Sequence, residues 1–393
     1  MQALSIAIAG AGIGGLAAAA LLAGAGHRVQ VFDQFAAPRP VGSGLVIQPV
    51  GQAVLDLCGA GAAARALGQP ITAMTGIEVE HGRTVLSVAY DRPGGPRHGL
   101  AIHRAALFGV LMDAATKAGA TIIPSARVLA APLEGKRWLV TEAGRHGPFD
   151  LVVDAAGAGS PLSPLKARPL PYGAVWATVP WPEGTGFDPN ALQQRYRRAS
   201  RMAGVLPLGR MTVDGPPLAA VFWSLPVTAL PDWPAQDMSL WKAEVLALWP
   251  ALAPFLATLH SASDLTPARY SHGTLARPYA ERLVHIGDAA HRASPQLGQG
   301  ANMALLDALA LANAVAMGDD PGPHYARTRR WHVRLYQGMS AAFTPQYQSD
   351  SRWLPSFRDQ VLMPVSRLPP VPGILTRLVA GDLIPPLAGT AFP

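Results

Sequence analysis

Leu4-Ser5-Ile6-Ala7-Ile8-Ala9-Gly10-Ala11-Gly12-Ile13-Gly14-Gly15-Leu16 is the stretch whose reading decides the fold. It begins as a short apolar strand, turns through a G-x-G-x-x-G at Gly10, Gly12 and Gly15, and continues from Leu16 to Ala25 as a small-residue helix closed by Gly26. Val29-Gln30-Val31-Phe32 then reads as a second strand, ending at Asp33. Glycines between a strand and a helix, with an acid roughly 20 residues on, make a dinucleotide fingerprint. Gly10 permits the tight turn, Gly12 lets the backbone approach a pyrophosphate, and Gly15 allows close helix packing, while the helix N-terminus offers N–H donors and positive potential. Asp33 stands where a carboxylate accepts ribose hydroxyls. The same apolar start could pass for a signal peptide or an anchor, but it has no basic n-region and four glycines fall inside the motif.

Outward from this βαβ start, Ile77 to Val88 alternates around His81-Gly82 as a hairpin, and Ala105 to Gly119 reads as a helix feeding the strand Thr121-Ile122-Ile123. A second hairpin turns at Ala143-Gly144-Arg145 and leads into the buried strand Leu151-Val152-Val153, followed by Gly157-Ala158-Gly159. From about Ser160 to Pro278 proline punctuation and strand-like runs take over, with Asp214-Gly215 as a hairpin turn. The α/β pattern then returns in Leu283-Val284-His285-Ile286 and in a long apolar helix, Ala301 to Ala314. Beyond Pro323 the chain is helical and then proline-rich.

The 393 residues allow two to three domains at roughly 150 residues each. With 49% hydrophobic and 15% charged residues the chain is far from disordered compositions. The single Cys58 excludes an intrachain disulfide and a cysteine-cluster metal site, fits a reducing cytoplasmic compartment, and is read as a helix packing residue. A net charge of +7 invites a nucleic-acid reading, but it comes from scattered arginines, densest at Arg195, Arg197, Arg198 and Arg201 and again at Arg327, Arg329, Arg330 and Arg334, so no nucleic-acid partner is expected. No other stretch approaches the roughly 18 apolar residues of a spanning helix. Peripheral membrane contact through the Pro- and Leu-rich C-terminus stays open, as does a homodimer.

A second motif separates FAD from NAD. Gly287-Asp288-Ala289-Ala290-His291, then Pro295, then Gly298-Gln299-Gly300-Ala301-Asn302, opens the long helix far from the first glycines. A distant strand-acid-helix element suits a long ligand: Asp288 can bind a ribityl chain, and the N–H groups of Gly300, Ala301 and Asn302 can face an isoalloxazine edge, where the helix dipole stabilises the negative charge of reduced flavin.

Both motifs and their spacing resemble the FAD-dependent aromatic hydroxylases, the single-component flavoprotein monooxygenases of the p-hydroxybenzoate hydroxylase type. The likeness covers about residues 1 to 340 and includes Arg39 with Gly42-Ser43-Gly44-Leu45, and His103-Arg104, where the family has an arginine that contacts FAD. It implies an α/β fold: a Rossmann-like, three-layer FAD-binding domain with a parallel sheet, an inserted, mostly antiparallel substrate domain, and C-terminal helices. The implied division is 1–70, 100–160 and 279–325 for FAD, 71–99 and 161–278 for substrate, and 326–393 for the C-terminal segment. The implied cofactor residues are Gly10, Gly12, Ile13, Gly14, Gly15, Asp33, Arg39, Arg104, Val128, Asp288, Pro295, Gly298, Gly300, Ala301 and Asn302. The implied reaction is hydroxylation of an aromatic or conjugated small molecule by O2 through a flavin C4a-hydroperoxide, with FAD reduced by transiently bound NADH or NADPH and with Pro295 near C4a in a dry pocket. No catalytic base is named.

Two departures stand out. The family's Asp-Gly pair after the third core strand is matched by Asp154-Ala155-Ala156-Gly157, so alanine stands in place of its aspartate; Asp154 lies two positions earlier, where alternation could bring it to the same face. This motivates an alternative, an FAD oxidoreductase supplied with electrons or reduced flavin by a partner; a non-catalytic flavin- or ligand-binding protein is a third reading. Leu306, where the family often has glutamate, reads as a packing change. His291 reads as loop support and His103 as a residue that more often packs than reacts. Trp176, Trp181 and Trp223 are split between pocket wall and sheet packing. No Ser-His-Asp set or H-E-x-x-H spacing supports hydrolysis or metal chemistry.

Overall fold

The computed structural model describes residues 2–36, 44–90, 97–318, 320–389 and 392. Six strands form the central sheet in the order Tyr279–Ala280, Leu283–His285, Leu151–Asp154, Ser5–Ala9, Arg28–Phe32, Thr121–Ile123. All neighbours are parallel except the first pair. Strand alternation divides the apolar side chains between two cores: Ile6, Ile8, Leu151 and Val153 face the helices, and Ala7, Ala9 and Val152 face the other way.

Helices Ile13–Gly24, Arg104–Lys117 and Gly300–Ala316 make one outer layer. The other is a small antiparallel sheet of Val128–Ala130, Leu133–Glu134, Lys136–Thr141 and Gly144–Phe149, which contributes Leu139 and Phe149. Small residues let the first and last helices cross closely, since a Cβ on Gly14 would lie 3.2 Å from that of Ala304. In register, Ala9 stands opposite both Phe32 and Asp154, and Asp154 opposite His285. Four strands therefore end in one row, and the turns after them share one edge, the place where open α/β sheets bind ligands.

The second sheet has eight strands: His291–Arg292, Thr266–Thr274, Arg168–Pro180, Leu218–Pro226, Arg201–Gly209, Ala191–Arg197, Ala73–Glu78, Arg83–Ala89. It is antiparallel apart from the pair Ala73–Glu78 with Ala191–Arg197. Odd-numbered residues of its central strands, such as Val175, Val205, Val221 and Trp223, pack outward with Trp233, Trp241 and Phe255; even-numbered ones, such as Trp176, Leu206 and Phe222, point inward. The strand-like region Ser160 to Pro278 also contains a helix, Met238–Leu248, that the sequence reading does not anticipate. Asp237 caps it, accepting from Ser239 N at 2.8 Å and Leu240 N at 3.2 Å, and Trp241, Val245 and Leu248 form its buried stripe.

A three-stranded antiparallel sheet, Gly44–Ile47, Gly99–His103 and Gln69–Ile71, lies between the two large ones. From Pro321 onward the described chain is helical: Pro321–Tyr347, then Trp353–Phe357 running through π turns at Arg358–Leu362 into Met363–Ser366, then Val371–Ala380. Among the described residues no helix is long and apolar enough to cross a membrane.

Candidate active site

One cavity of about 1420 Å³ runs from the ends of the parallel strands to the inner face of the eight-stranded sheet and the C-terminal helices. A single small-molecule pocket holds roughly 300–1,000 Å³, so this one has room for a cofactor and a substrate together.

At the strand edge, Gly10 adopts φ +101°, and a Cβ there would lie 2.6 Å from Ala155 O. Its N–H donates to Phe32 O at 2.8 Å, which holds the turn between the first two strands. A Cβ on Gly15 would lie 2.0 Å from Gly10 O, so Gly15 serves packing and is not on the cavity wall. A Cβ on Gly12 would meet nothing within 4 Å; that open space belongs to the cavity, which Ile13 and Gly14 also line. Asp33 accepts from Ala11 N at 2.7 Å and Phe35 N at 2.9 Å while remaining on the cavity wall, so it fixes the glycine turn as well as facing the cavity.

Arg104 and Val128 line the same half, and Arg104 is exposed. Its neighbour His103 is a helix cap: Nδ1 accepts from Ala105 N at 3.2 Å and Nε2 lies 3.2 Å from Thr178 Oγ1. Burial, together with the adjacent Arg104, holds its pKa below the ordinary imidazole value, as suits a neutral packing group. Arg39, with Gly42 and Ser43, lies outside the described residues.

The second motif arrives on the same edge. Asp288 is exposed to the cavity, and Pro295, Gly298, Gly300 and Ala301 form the adjoining wall. Gly298, at φ +61°, turns the chain into the 17-residue helix Gly300–Ala316, whose first N–H groups have no intrahelical acceptor. The side chain of Asn302 is fully buried and off the cavity wall, while its backbone N–H lies in the first turn of the helix. Its Oδ1 accepts from Gln48 N at 2.8 Å, and its Nδ2 donates to Gly298 O at 2.9 Å and Val46 O at 3.3 Å, so it ties the helix start to the strand Gly44–Ile47. Two carboxylates, an arginine, an unobstructed glycine turn and an open helix N-terminus form a donor set that fits a flavin dinucleotide.

Two buried clusters hold these turns. Asp307, which the sequence reading passes over, accepts from Gly287 N at 2.9 Å and from Arg329 Nε at 2.7 Å, and lies 2.7 Å from His291 Nε2. Burial alone would raise its pKa; the His291 and Arg329 charges and their hydrogen bonds overcome that and hold it well below the ordinary carboxylate range. His291 is thus loop support, as expected. Asp154 is fully buried, accepts from Ser160 Oγ at 2.7 Å and Ala156 N at 3.2 Å, and lies 2.7 Å from His285 Nδ1. It therefore braces the turn from beneath; Ala156 and Gly157 form the wall, and Asp154 does not reach it.

The far half of the cavity is apolar. Met74, Val88, Trp176, Leu206 and Phe222 project from the sheet, opposite Leu362, Met363 and Leu375. The Trp176 and Phe222 rings lie 4.4 Å apart, and Trp176 Nε1 donates to Tyr270 OH at 3.0 Å. Trp181 and Trp223 sit in the outer core. At the distal end Arg358, buried and on the cavity wall, donates through Nε to Asp359 at 2.6 Å and through Nη1 to Gln346 O at 2.8 Å; its Nη2 has no hydrogen-bond partner among the described residues. Its guanidinium carbon lies 5.0 Å from the Tyr347 ring and 5.5 Å from that of Tyr196.

A model of FAD dependent oxidoreductases matches residues 95–294, and one of the FAD binding domain matches residues 3–138. The chain is 28% identical to 2-heptyl-3-hydroxy-4(1H)-quinolone synthase of Mycobacteroides abscessus, covering 87% of this chain and 88% of that one. It is 26% identical to 6-methylpretetramide 4-monooxygenase of Streptomyces rimosus, covering 96% and 92%. Its fold is that of 2-methyl-3-hydroxypyridine-5-carboxylic acid oxygenase (TM-score 0.78, 18% identity, 98% and 99% covered) and of Klebsiella pneumoniae HpxO complexed with FAD and uric acid (TM-score 0.77, 19% identity, 97% and 98% covered). With the first-strand fingerprint and the Asp288 turn converging on one cavity, the chain belongs to the FAD-dependent oxidoreductases and, within them, to the monooxygenases of the aromatic hydroxylase family.

Proposed function

We propose that this protein hydroxylates an elongated, largely apolar aromatic or conjugated molecule, with FAD along the strand edge and the substrate in the chamber between the eight-stranded sheet and the C-terminal helices. The observation that carries this reading is the continuity of the two halves in one cavity. Bound flavin supplies the activation of O2. Gly12, Asp33, Arg104 and Asp288 would hold the dinucleotide, the start of helix Gly300–Ala316 would face its ring, and Pro295 would wall the reacting end. Met74, Val88, Trp176 and Phe222 exclude water and offer flat surfaces to a ring. Arg358, on the distal wall, would set a positive charge, partly balanced by Asp359, near a carbonyl or phenol oxygen there. The division into a discontinuous FAD domain and an inserted substrate domain is part of the same proposal.

The purified protein should be yellow, release FAD on denaturation, and consume O2 when given NADH or NADPH with a hydroxylated heteroaromatic such as a 4-quinolone, the class named for one relative. A colourless protein that FAD cannot reconstitute would end this reading. Arg358→Met should raise KM at least about tenfold with little change in kcat, the signature of a lost ground-state contact.

A second reading concerns the electron source. Asp154 does not replace the missing aspartate at Ala156, because it is committed to His285 and Ser160 and does not reach the cavity wall. This favours delivery of electrons or reduced flavin by a partner protein. If neither nicotinamide is oxidised in the presence of substrates, while reduced flavin supports product formation, that reading replaces direct reduction.

A further inference from the structure

The helical run Trp353–Ser366 is apolar on both sides. Its inner side places Leu362, Met363 and Ser366 on the cavity wall. Its outer side exposes Trp353 (84%), Phe357, Val361 and Val365, followed by Leu368 (60%). A spacing of four drifts by about 40° a step on an α-helix. The wider π turns at Arg358–Leu362 rotate the path back, so the four side chains stay on one stripe. Val365 belongs to both sides, exposed and on the cavity wall, so the stripe reaches the cavity mouth.

The exposed charges at the two ends of the run have one sign. Arg352 and Arg367 are exposed at its two ends. Between Arg352 and Arg377 the only carboxylate is Asp359, and it is bonded to Arg358. A second copy of the chain is a poor occupant. A two-fold pairing on this stripe, parallel or antiparallel, sets arginine against arginine with no acid between them. A helix with exposed Trp, Phe and Val flanked by arginines is instead the pattern of an element lying in the interface of an anionic bilayer.

We propose that the outer face of Trp353–Ser366, with Leu368, docks the protein on an anionic lipid surface and sets the cavity mouth against it, so that apolar substrates enter from the lipid. The docking stands apart from the flavin chemistry. The full chain, loaded with FAD, is sedimented with vesicles of phosphatidylcholine alone or mixed with phosphatidylglycerol, and flavin absorbance, circular dichroism and thermal midpoint are read on the same samples. The wild-type chain should bind the mixed vesicles and be released by salt. W353S/F357S and R352E/R367E should each lower partition at least about tenfold, with flavin content and midpoint unchanged. The proposal is overturned if the wild-type chain stays in the supernatant, if it binds phosphatidylcholine equally well, or if neither double variant changes partition. A dimer in solution that W353S/F357S converts to monomer also overturns it, by assigning the stripe to a second copy.

Discussion

Asp307 is the only charged residue in the helix Gly300–Ala316, and three groups from two parts of the chain, Gly287 and His291 of one turn and Arg329, converge on it. Removing its charge leaves Arg329 buried without its counter-ion, so Asp307→Asn should cost about 3–5 kcal/mol in urea unfolding. Its folded pKa lies below the roughly 3.9 of an unfolded aspartate, so this stabilisation is complete above that pH and is lost as pH falls through the folded value. His332 acts in a higher window. Burial, with Arg329 close by, lowers its pKa from 6.5 to about 3. Between those values the unfolded chain binds the proton that the folded one refuses, so stability should fall by up to about 1.4 kcal/mol per unit as the pH drops from 6.5. Urea midpoints at pH 7.5, 6 and 5 measure the slope, and His332→Asn should flatten it. The glycine turn allows a sharper contrast. Gly10→Ala forces a Cβ against Ala155 O at a left-handed φ and should lower both stability and flavin content. Gly12→Ala meets no protein atom, so the thermal midpoint of the flavin-free protein should hold within about 2 °C of the flavin-free wild type while flavin binding, read by absorbance, is lost.

At the scale of elements, strand parity separates tryptophans that the sequence treats alike. Trp176 points into the cavity and Trp223 into the outer core. Trp176→Ala should therefore weaken substrate binding with a modest loss of stability, and Trp223→Ala should cost about 3–5 kcal/mol while leaving flavin binding intact. The period of two was legible in each strand, but which parity faces the cavity depends on long-range pairing and on the helix Met238–Leu248 covering the other face. The two glycine turns were legible because local backbone rules dictate them. The role of the Asn302 side chain was not legible, because motif position fixes where a backbone runs and leaves open which way a side chain turns. Asp307 did carry a signal, a lone acid on an apolar helix, which must find a buried partner. Its partner Arg329 did not, being one arginine among many on Pro321–Tyr347.

For the whole molecule, the return of the α/β pattern near Leu283 announced that the parallel sheet is completed late in the chain, and strand Leu283–His285 lies directly beside Leu151–Asp154. The distal wall of the cavity was not legible, because proline-rich composition carries no periodicity that forecasts the π turns from which Arg358 faces Tyr196 and Tyr347. The Asp307 cluster also sets an order in time. The Gly287 turn is held by Asp307, which needs Arg329, whose Nη1 donates to Pro386 O at 2.7 Å. A growing chain thus carries its first glycine turn long before Arg329 and Pro386, which secure the opposing jaw, are made. Cofactor capture is thereby deferred until those residues are in place, and a chain cut short near residue 325 would keep the fingerprint and lose the grip.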